Sequence, residues 1–202
     1  MTTLKILNFT KFELPLEIAS DTALIDALNR VLTLWKAGKI PLQNNAKSFS
    51  PADVVQLLSP IELLRLQLVH GDISVSKASR LSILLLPDDI RAELVAALMV
   101  YYPQIDQRLA GYFWYRPGGF MSWHTNSNDA GIRLYISYAE VGDRSFFRYQ
   151  DPATHNVETS NDTAGWQLRF FEVSVESDKK FWHCVQSDTD RLSLGFRLAP
   201  PA

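Results

Sequence analysis

The sequence predicts an α+β fold in which a jelly roll of short strands is backed by an N-terminal helical layer. Three observations predict it: helix start and stop signals across the first half, a change of texture near residue 103, and short β-branched and aromatic runs parted by turn residues from there on. The 202 residues therefore divide into a mainly helical region, 1–103, and a β core, 104–202, and with 47% apolar residues the chain can close a sizeable core.

Residues 20–37 place Leu24, Ile25, Leu28, Val31, Leu32 and Trp35 on one helical face, with Gly38 as a stop. Two further helices start at capping boxes, Ser50-Pro51-Ala52-Asp53 and Ser59-Pro60-Ile61-Glu62. Each has proline at the first helical position, where its missing N–H is harmless. Residues 76–85 and 88–102 complete the helical run, and Pro103 ends it. Strands are expected near 106–115, 132–139, 145–150, 166–174, 180–186 and 191–198. The segments 117–119 (PGG), 127–131 (SNDAG), 141–143 (VGD) and 160–165 (SNDTAG) are expected as the turns.

Composition narrows the function classes. A net charge of -2 with 21% charged residues gives no total that suggests a nucleic-acid or membrane surface. The segment 71–85 faintly resembles a helix-turn-helix, but Lys77 and Arg80 alone provide little of the phosphate neutralisation DNA binding needs. The N-terminus has no basic flank followed by an apolar run, and no stretch approaches the roughly 18–20 apolar residues of a membrane span, so a soluble, cytoplasmic protein is expected. One cysteine, Cys184, excludes an internal disulfide and a thiolate zinc cluster within one chain, so any metal must be held by His and oxygen ligands.

Two of the four histidines stand in aromatic, strand-like settings, Trp123-His124-Thr125 and Trp182-His183-Cys184. A β-barrel can bring such positions together at one mouth, where a two-histidine, one-carboxylate face leaves iron positions open. His70, at a helix end, and His155, in a polar loop, read as ordinary surface histidines. Trp123 and Trp182 read as core, and Cys184 as a packed thiol pointing away from its histidine neighbour. After His183 comes Arg191, followed by Ser193 and Arg197. Alternation puts these three on one strand face, where a guanidinium fork beside a hydroxyl suits a small dicarboxylate.

With Tyr115-Arg116-Pro117-Gly118-Gly119 running into His124, and with Arg191-Leu192-Ser193, residues 104–199 resemble the Fe(II)/2-oxoglutarate oxygenase superfamily, including prolyl hydroxylases and alkylation-repair demethylases. The resemblance implies a double-stranded β-helix with His124 and His183 as iron ligands and Arg191 and Ser193 on the distal carboxylate of 2-oxoglutarate. Tyr115 is implied as a further cosubstrate contact. Arg197 matches a second arginine of the demethylases, or is a solvated charge at a strand end. On the strand after His124 we expect Arg133 and Tyr135 to point to opposite faces, with Tyr135 inward as a cosubstrate contact. The chain departs from the family at Asn126, where the family has an acidic third ligand. Asn126 can bind through its amide oxygen, which keeps the family spacing. Otherwise Asp129 substitutes, an exogenous anion fills the position, or the site lacks a third ligand.

The implied activity is that of a 2-oxoglutarate-dependent dioxygenase that hydroxylates an unidentified substrate with O2. The alternative is a non-catalytic dicarboxylate-binding or regulatory module of the same fold. A cupin-like enzyme without 2-oxoglutarate would leave Arg191 and Ser193 without a partner.

Overall fold

The computed structural model describes residues 3–10, 15–44, 47–70 and 76–198, the side chains of 106–110 excepted. It is one curled mixed sheet with four α-helices. The strands are β1 (Lys5–Asn8), β2 (Leu42–Asn44), β3 (Ala78–Leu84), β4 (Ile105–His124), β5 (Gly131–Ala139), β6 (Ser145–Gln150), β7 (Val157–Asn161), β8 (Gly165–Val173), β9 (His183–Ser187) and β10 (Arg191–Leu198). The helices are α1 (Thr22–Lys36), α2 (Pro51–Leu57), α3 (Pro60–His70) and α4 (Asp88–Met99). The strand order is β1-β8-β5-β10-β4-β9-β6-β7, with β3 on the free side of β4 and β2 beyond it. Among the described residues only the β1–β8 pair is parallel.

The helix starts follow from their caps. The Asp21 carboxylate accepts from the Leu24 amide at 2.6 Å and opens α1. Ser50 and Asp53 form a complete capping box at α2. At α3 the Ser59 hydroxyl accepts from the Glu62 amide at 3.1 Å, but the Glu62 carboxylate turns to Arg65 instead of closing the box.

Alternation sorts the long strands into two faces. Leu134, Ile136, Leu168, Phe170, Leu192, Leu194 and Phe196 share one core with Leu24, Leu28 and Val31 of α1 and Leu94 and Leu98 of α4. The opposite face of the same strands looks into the roll. In β10 Leu192, Leu194, Phe196 and Leu198 alternate with Arg191, Ser193, Gly195 and Arg197, yet covering on both sides buries every residue but Arg197.

Two expectations are corrected. Residues 78–84 form strand β3, not a helix, and with 71–75 outside the described residues no helix-turn-helix is formed by the rest of that segment. Ala78, Ser79, Leu81, Ser82 and Leu84 are buried in a sheet that needs them extended, and this outweighs a local apolar rhythm that also fits a helix. The PGG segment is not a connecting turn but lies inside β4. That strand is 20 residues long and pairs with β10 over its first part and with β9 over its last. Gly119 faces Ser187 and Tyr115 faces Arg191, so β9 and β10 continue one another along β4 with three residues of each strand crossing the bend.

Gly119 is required at that bend by close approach. A Cβ there would lie 2.7 Å from the Arg116 carbonyl oxygen and 2.9 Å from that of Arg80, and backbone cannot move aside as a side-chain tip can. Gly119→Ala should cost about 1–3 kcal/mol, read as a lower denaturant midpoint at unchanged slope.

Candidate metal and anion site inside the roll

The ladder of β4 against β9 sets His124 directly opposite His183, with ring centroids 4.1 Å apart. Both rings are buried and both are held the same way. His124 Nδ1 is 2.8 Å from the Ser122 carbonyl oxygen and His183 Nδ1 is 3.1 Å from that of Phe181. A carbonyl oxygen only accepts, so each Nδ1 carries the proton and each Nε2 presents a lone pair. Burial holds both imidazoles neutral, His124 down to about 4 and His183 well below its ordinary value. Neutral imidazoles tied through Nδ1 are the form in which histidine binds a metal.

Asn126 follows β4 in the left-handed region, φ 56°, which asparagine tolerates better than most residues. Its amide lies 3.4 Å from His183 Nε2 and 3.5 Å from the Tyr135 hydroxyl. Among the described residues no group of three or more His, Cys, Asp or Glu side chains is placed to share a metal. The Asp129 carboxylate pairs instead with Arg197 and stands 3.7 Å from Arg133, so it is engaged as a counter-ion.

A cavity of about 430 Å³ opens on these groups. It is lined by Tyr115, His124, Asn126, Tyr135, His183 and Ser193 at one end and by Ala78, Ile83, Phe113, Met121 and Val185 elsewhere. Six of the eight residues singled out in the sequence thus border one space. Arg191 and Arg197 do not line it.

Arg191, which the sequence analysis leaves without a partner unless 2-oxoglutarate binds, has one within the fold. Asp162, in the turn before β8, accepts from Arg191 Nε at 2.7 Å and from Arg169 Nη2 at 2.7 Å. Gln167 Nε2 donates to the same carboxylate at 2.6 Å, and the Ser145 hydroxyl donates as well. All five residues are buried. Arg191 Nη1 has no hydrogen-bond partner among the described residues, and the guanidinium carbon sits 5.3 Å from the centre of the Tyr115 ring. Nη1 is therefore a buried donor without a partner among the described residues, and the ring that the guanidinium stands against, Tyr115, is one of the cavity's lining residues.

Arg133 is a correction to the expected orientation. Residues two apart on a strand share a face, so Arg133 points inward with Tyr135 and is buried, its guanidinium donating to the Asp129 carbonyl oxygen. Asp162, Arg169 and Arg133 were missed for related reasons. An aspartate in SNDTAG has a sufficient role as a turn residue, and arginines in a strand ordinarily mark a solvent face. Only the covering of both faces makes them internal.

No family model and no curated protein matches the sequence. Solved structures similar to it include a prolyl-4-hydroxylase of Pseudomonas putida, at 13% identity and a TM-score of 0.41, covering 92% of this chain and 90% of that one. A 2OG-Fe(II) oxygenase family oxidoreductase of Burkholderia pseudomallei is similar at 11% identity and a TM-score of 0.42, covering 97% and 95%. The CENP-C cupin domain of Drosophila melanogaster is similar at 10% identity and a TM-score of 0.34, covering 86% and 97%. No described helix is long and apolar enough to cross a membrane.

Burial alone would raise the Asp162 carboxyl, but the Arg191 and Arg169 charges and the Ser145 hydroxyl overrule it and hold it down at about 2, against an ordinary 3.8. The unfolded chain takes up this proton first on acidification. The stabilisation, about 2 kcal/mol, is therefore complete above the unfolded value and is lost as pH falls from about 4 through 2. Urea titrations from pH 6 to 2 should show that loss. In Asp162→Asn it should be absent, on a protein already weakened by roughly 3–5 kcal/mol at neutral pH because two buried guanidinium groups lose their counter-ion.

Proposed function

We propose that this chain is an Fe(II)/2-oxoglutarate-dependent oxygenase built on a double-stranded β-helix core, residues 104–202, with the region 1–103 as its mainly helical support. One observation carries the reading: two buried, neutral imidazoles, each tied through Nδ1 to the carbonyl two residues earlier, present both Nε2 atoms to one cavity beside the Asn126 amide. The donor set fits a divalent iron through His124, His183 and, after half a turn of its amide, Asn126 Oδ1. The neutral amide predicts a weaker site than a carboxylate would give.

The inner face of the roll also fits a dianion. Arg133, Arg169 and Arg191 are buried there against one buried carboxylate, Asp162. Buried charge of one sign needs a partner. In this reading the distal carboxylate of 2-oxoglutarate reaches the unpartnered Nη1 of Arg191 behind the Tyr115 and Ser193 wall of the cavity, Tyr135 bounds the other side of the cosubstrate, and Arg197 stands behind Asp129. Bound iron and 2-oxoglutarate would supply O2 activation and oxidation of a substrate C–H bond, the cosubstrate leaving as succinate and CO2. The protein's own part is to keep the imidazoles deprotonated at Nε2, orient the carboxylate and exclude bulk water from the cavity.

The second reading, a non-catalytic dicarboxylate-binding module, is favoured by Asn126 alone. Succinate formation on Fe(II)-loaded protein in the presence of 2-oxoglutarate and O2 separates the two. Turnover supports the oxygenase, and binding of 2-oxoglutarate without turnover across a panel of substrates supports the module. Asn126→Asp should tighten Fe(II) binding by restoring a charged ligand, and unchanged or weaker affinity by metal titration would exclude Asn126 as the third donor. Arg191→Met should abolish calorimetric binding of 2-oxoglutarate, a loss of about 2–5 kcal/mol, while the histidines still hold metal.

A further inference from the structure

Arg191 has more hydrogen-bonding capacity than any one anion uses, and how its fork is turned decides which donors remain for a second anion. The Asp162 carboxylate takes Nε, while Nη1 is left without a partner among the described residues. Asp162 is itself fixed from four directions, by Arg169, Gln167, Ser145 and the backbone. Its amide donates to the Ser145 carbonyl oxygen at 2.9 Å, and its own carbonyl oxygen accepts from the Asp143 amide at 2.8 Å. Arg169 is anchored in turn by the Ser137 hydroxyl at 2.9 Å and lies 5.6 Å from the Phe147 ring, which stacks on His183 at 5.3 Å. Resting on the oxygenase reading above, we propose that Asp162 is a positioning residue for the cosubstrate: by taking Arg191 Nε inside a rigid cage, it turns the Nη edge of that arginine toward the distal carboxylate of 2-oxoglutarate.

The proposal makes a prediction opposite in sign to simple electrostatics. Asp162 is an anion close to the place an anion must occupy, so if it were only a counter-ion its neutralisation would tighten binding of a dicarboxylate. As a positioning group its removal frees Arg191 to rotate, and binding weakens. Loss of a partner that orients a ligand-binding group typically costs tenfold to a hundredfold in affinity.

The test uses the full chain loaded with Mn(II), with 2-oxoglutarate and 2-oxovalerate as calorimetric probes; the second keeps the 2-oxo acid and lacks the distal carboxylate. Wild type should prefer 2-oxoglutarate. Asp162→Asn should lose roughly tenfold to a hundredfold of 2-oxoglutarate affinity while binding Mn(II) and 2-oxovalerate as wild type does. Ser145→Ala, which removes one hydroxyl from the cage and leaves every charge in place, should lose about three- to tenfold for 2-oxoglutarate alone. It decides the matter if Asp162→Asn does not fold. Equal or tighter 2-oxoglutarate binding by Asp162→Asn, or by Ser145→Ala in its stead, overturns the positioning role and leaves the oxygenase reading standing. If wild type does not distinguish the two probes, the oxygenase reading falls and the positioning role with it.

Discussion

The structure depends on one bent antiparallel ladder, β4 against β9 and β10. Register runs unbroken from Tyr115 opposite Arg191 through Gly119 opposite Ser187 to Met121 opposite Val185, and a one-residue irregularity between Met121 and His124 then sets His124 opposite His183. A one-residue slip would turn every side chain to the other face and put the imidazoles into the helix-backed core. The paired imidazoles and the buried Arg191 guanidinium thus lie at two points along one ladder. Their separation is set by hydrogen-bonded backbone, and β4 passes the Gly118–Gly119 bend in register with β10 and β9, while its register with β3 on the other edge shifts there.

The inner face of the roll, on β5, β8 and β10, carries a burden unusual for a core. Arg133, Arg169 and Arg191 would each cost several kcal/mol to bury alone. Asp162 offsets part of this for Arg169 and Arg191, and Asp129, half exposed in the β4–β5 loop, serves Arg133 and Arg197. Burial lowers the Arg169 guanidinium to about 10, with Asp162 pulling the other way. Such a cluster is poor stabiliser and good architect. A well-packed apolar replacement would hold the strands together as well, whereas fixed guanidinium groups define where a negatively charged guest fits.

Much of this was legible in the sequence. Residues 145–150 and 191–198 have the observed bounds of β6 and β10, and the starts of α1, α2 and α3 follow from local caps. The convergence of Tyr115, His124, Asn126, Tyr135, His183 and Ser193 on one cavity agrees with motifs that a strand's two-residue period makes readable. What was not legible depends on tertiary context. β3 has a local rhythm compatible with a helix, and its pairing with β4 and β2 makes it a strand. Arg169 and Asp162 become internal because helices cover the outer face of β8 while its inner face is enclosed by the roll, and no window of sequence contains both facts.

Asn126 is where backbone and ligand demands meet. The left-handed turn that ends β4 folds this side chain back beside His183, and asparagine meets that backbone requirement as well as aspartate does. The choice between them is therefore one of charge. Three arginines already outnumber the buried acids around this interior, and a neutral amide leaves the cavity more cationic than an acidic third ligand would. On the proposed function, that arrangement would strengthen the pull on an incoming dianion while weakening the hold on a dication. A site so balanced should bind its metal more tightly once the dicarboxylate is present than before, because each supplies the charge the other lacks. By linkage the same factor must tighten the dicarboxylate when metal is bound.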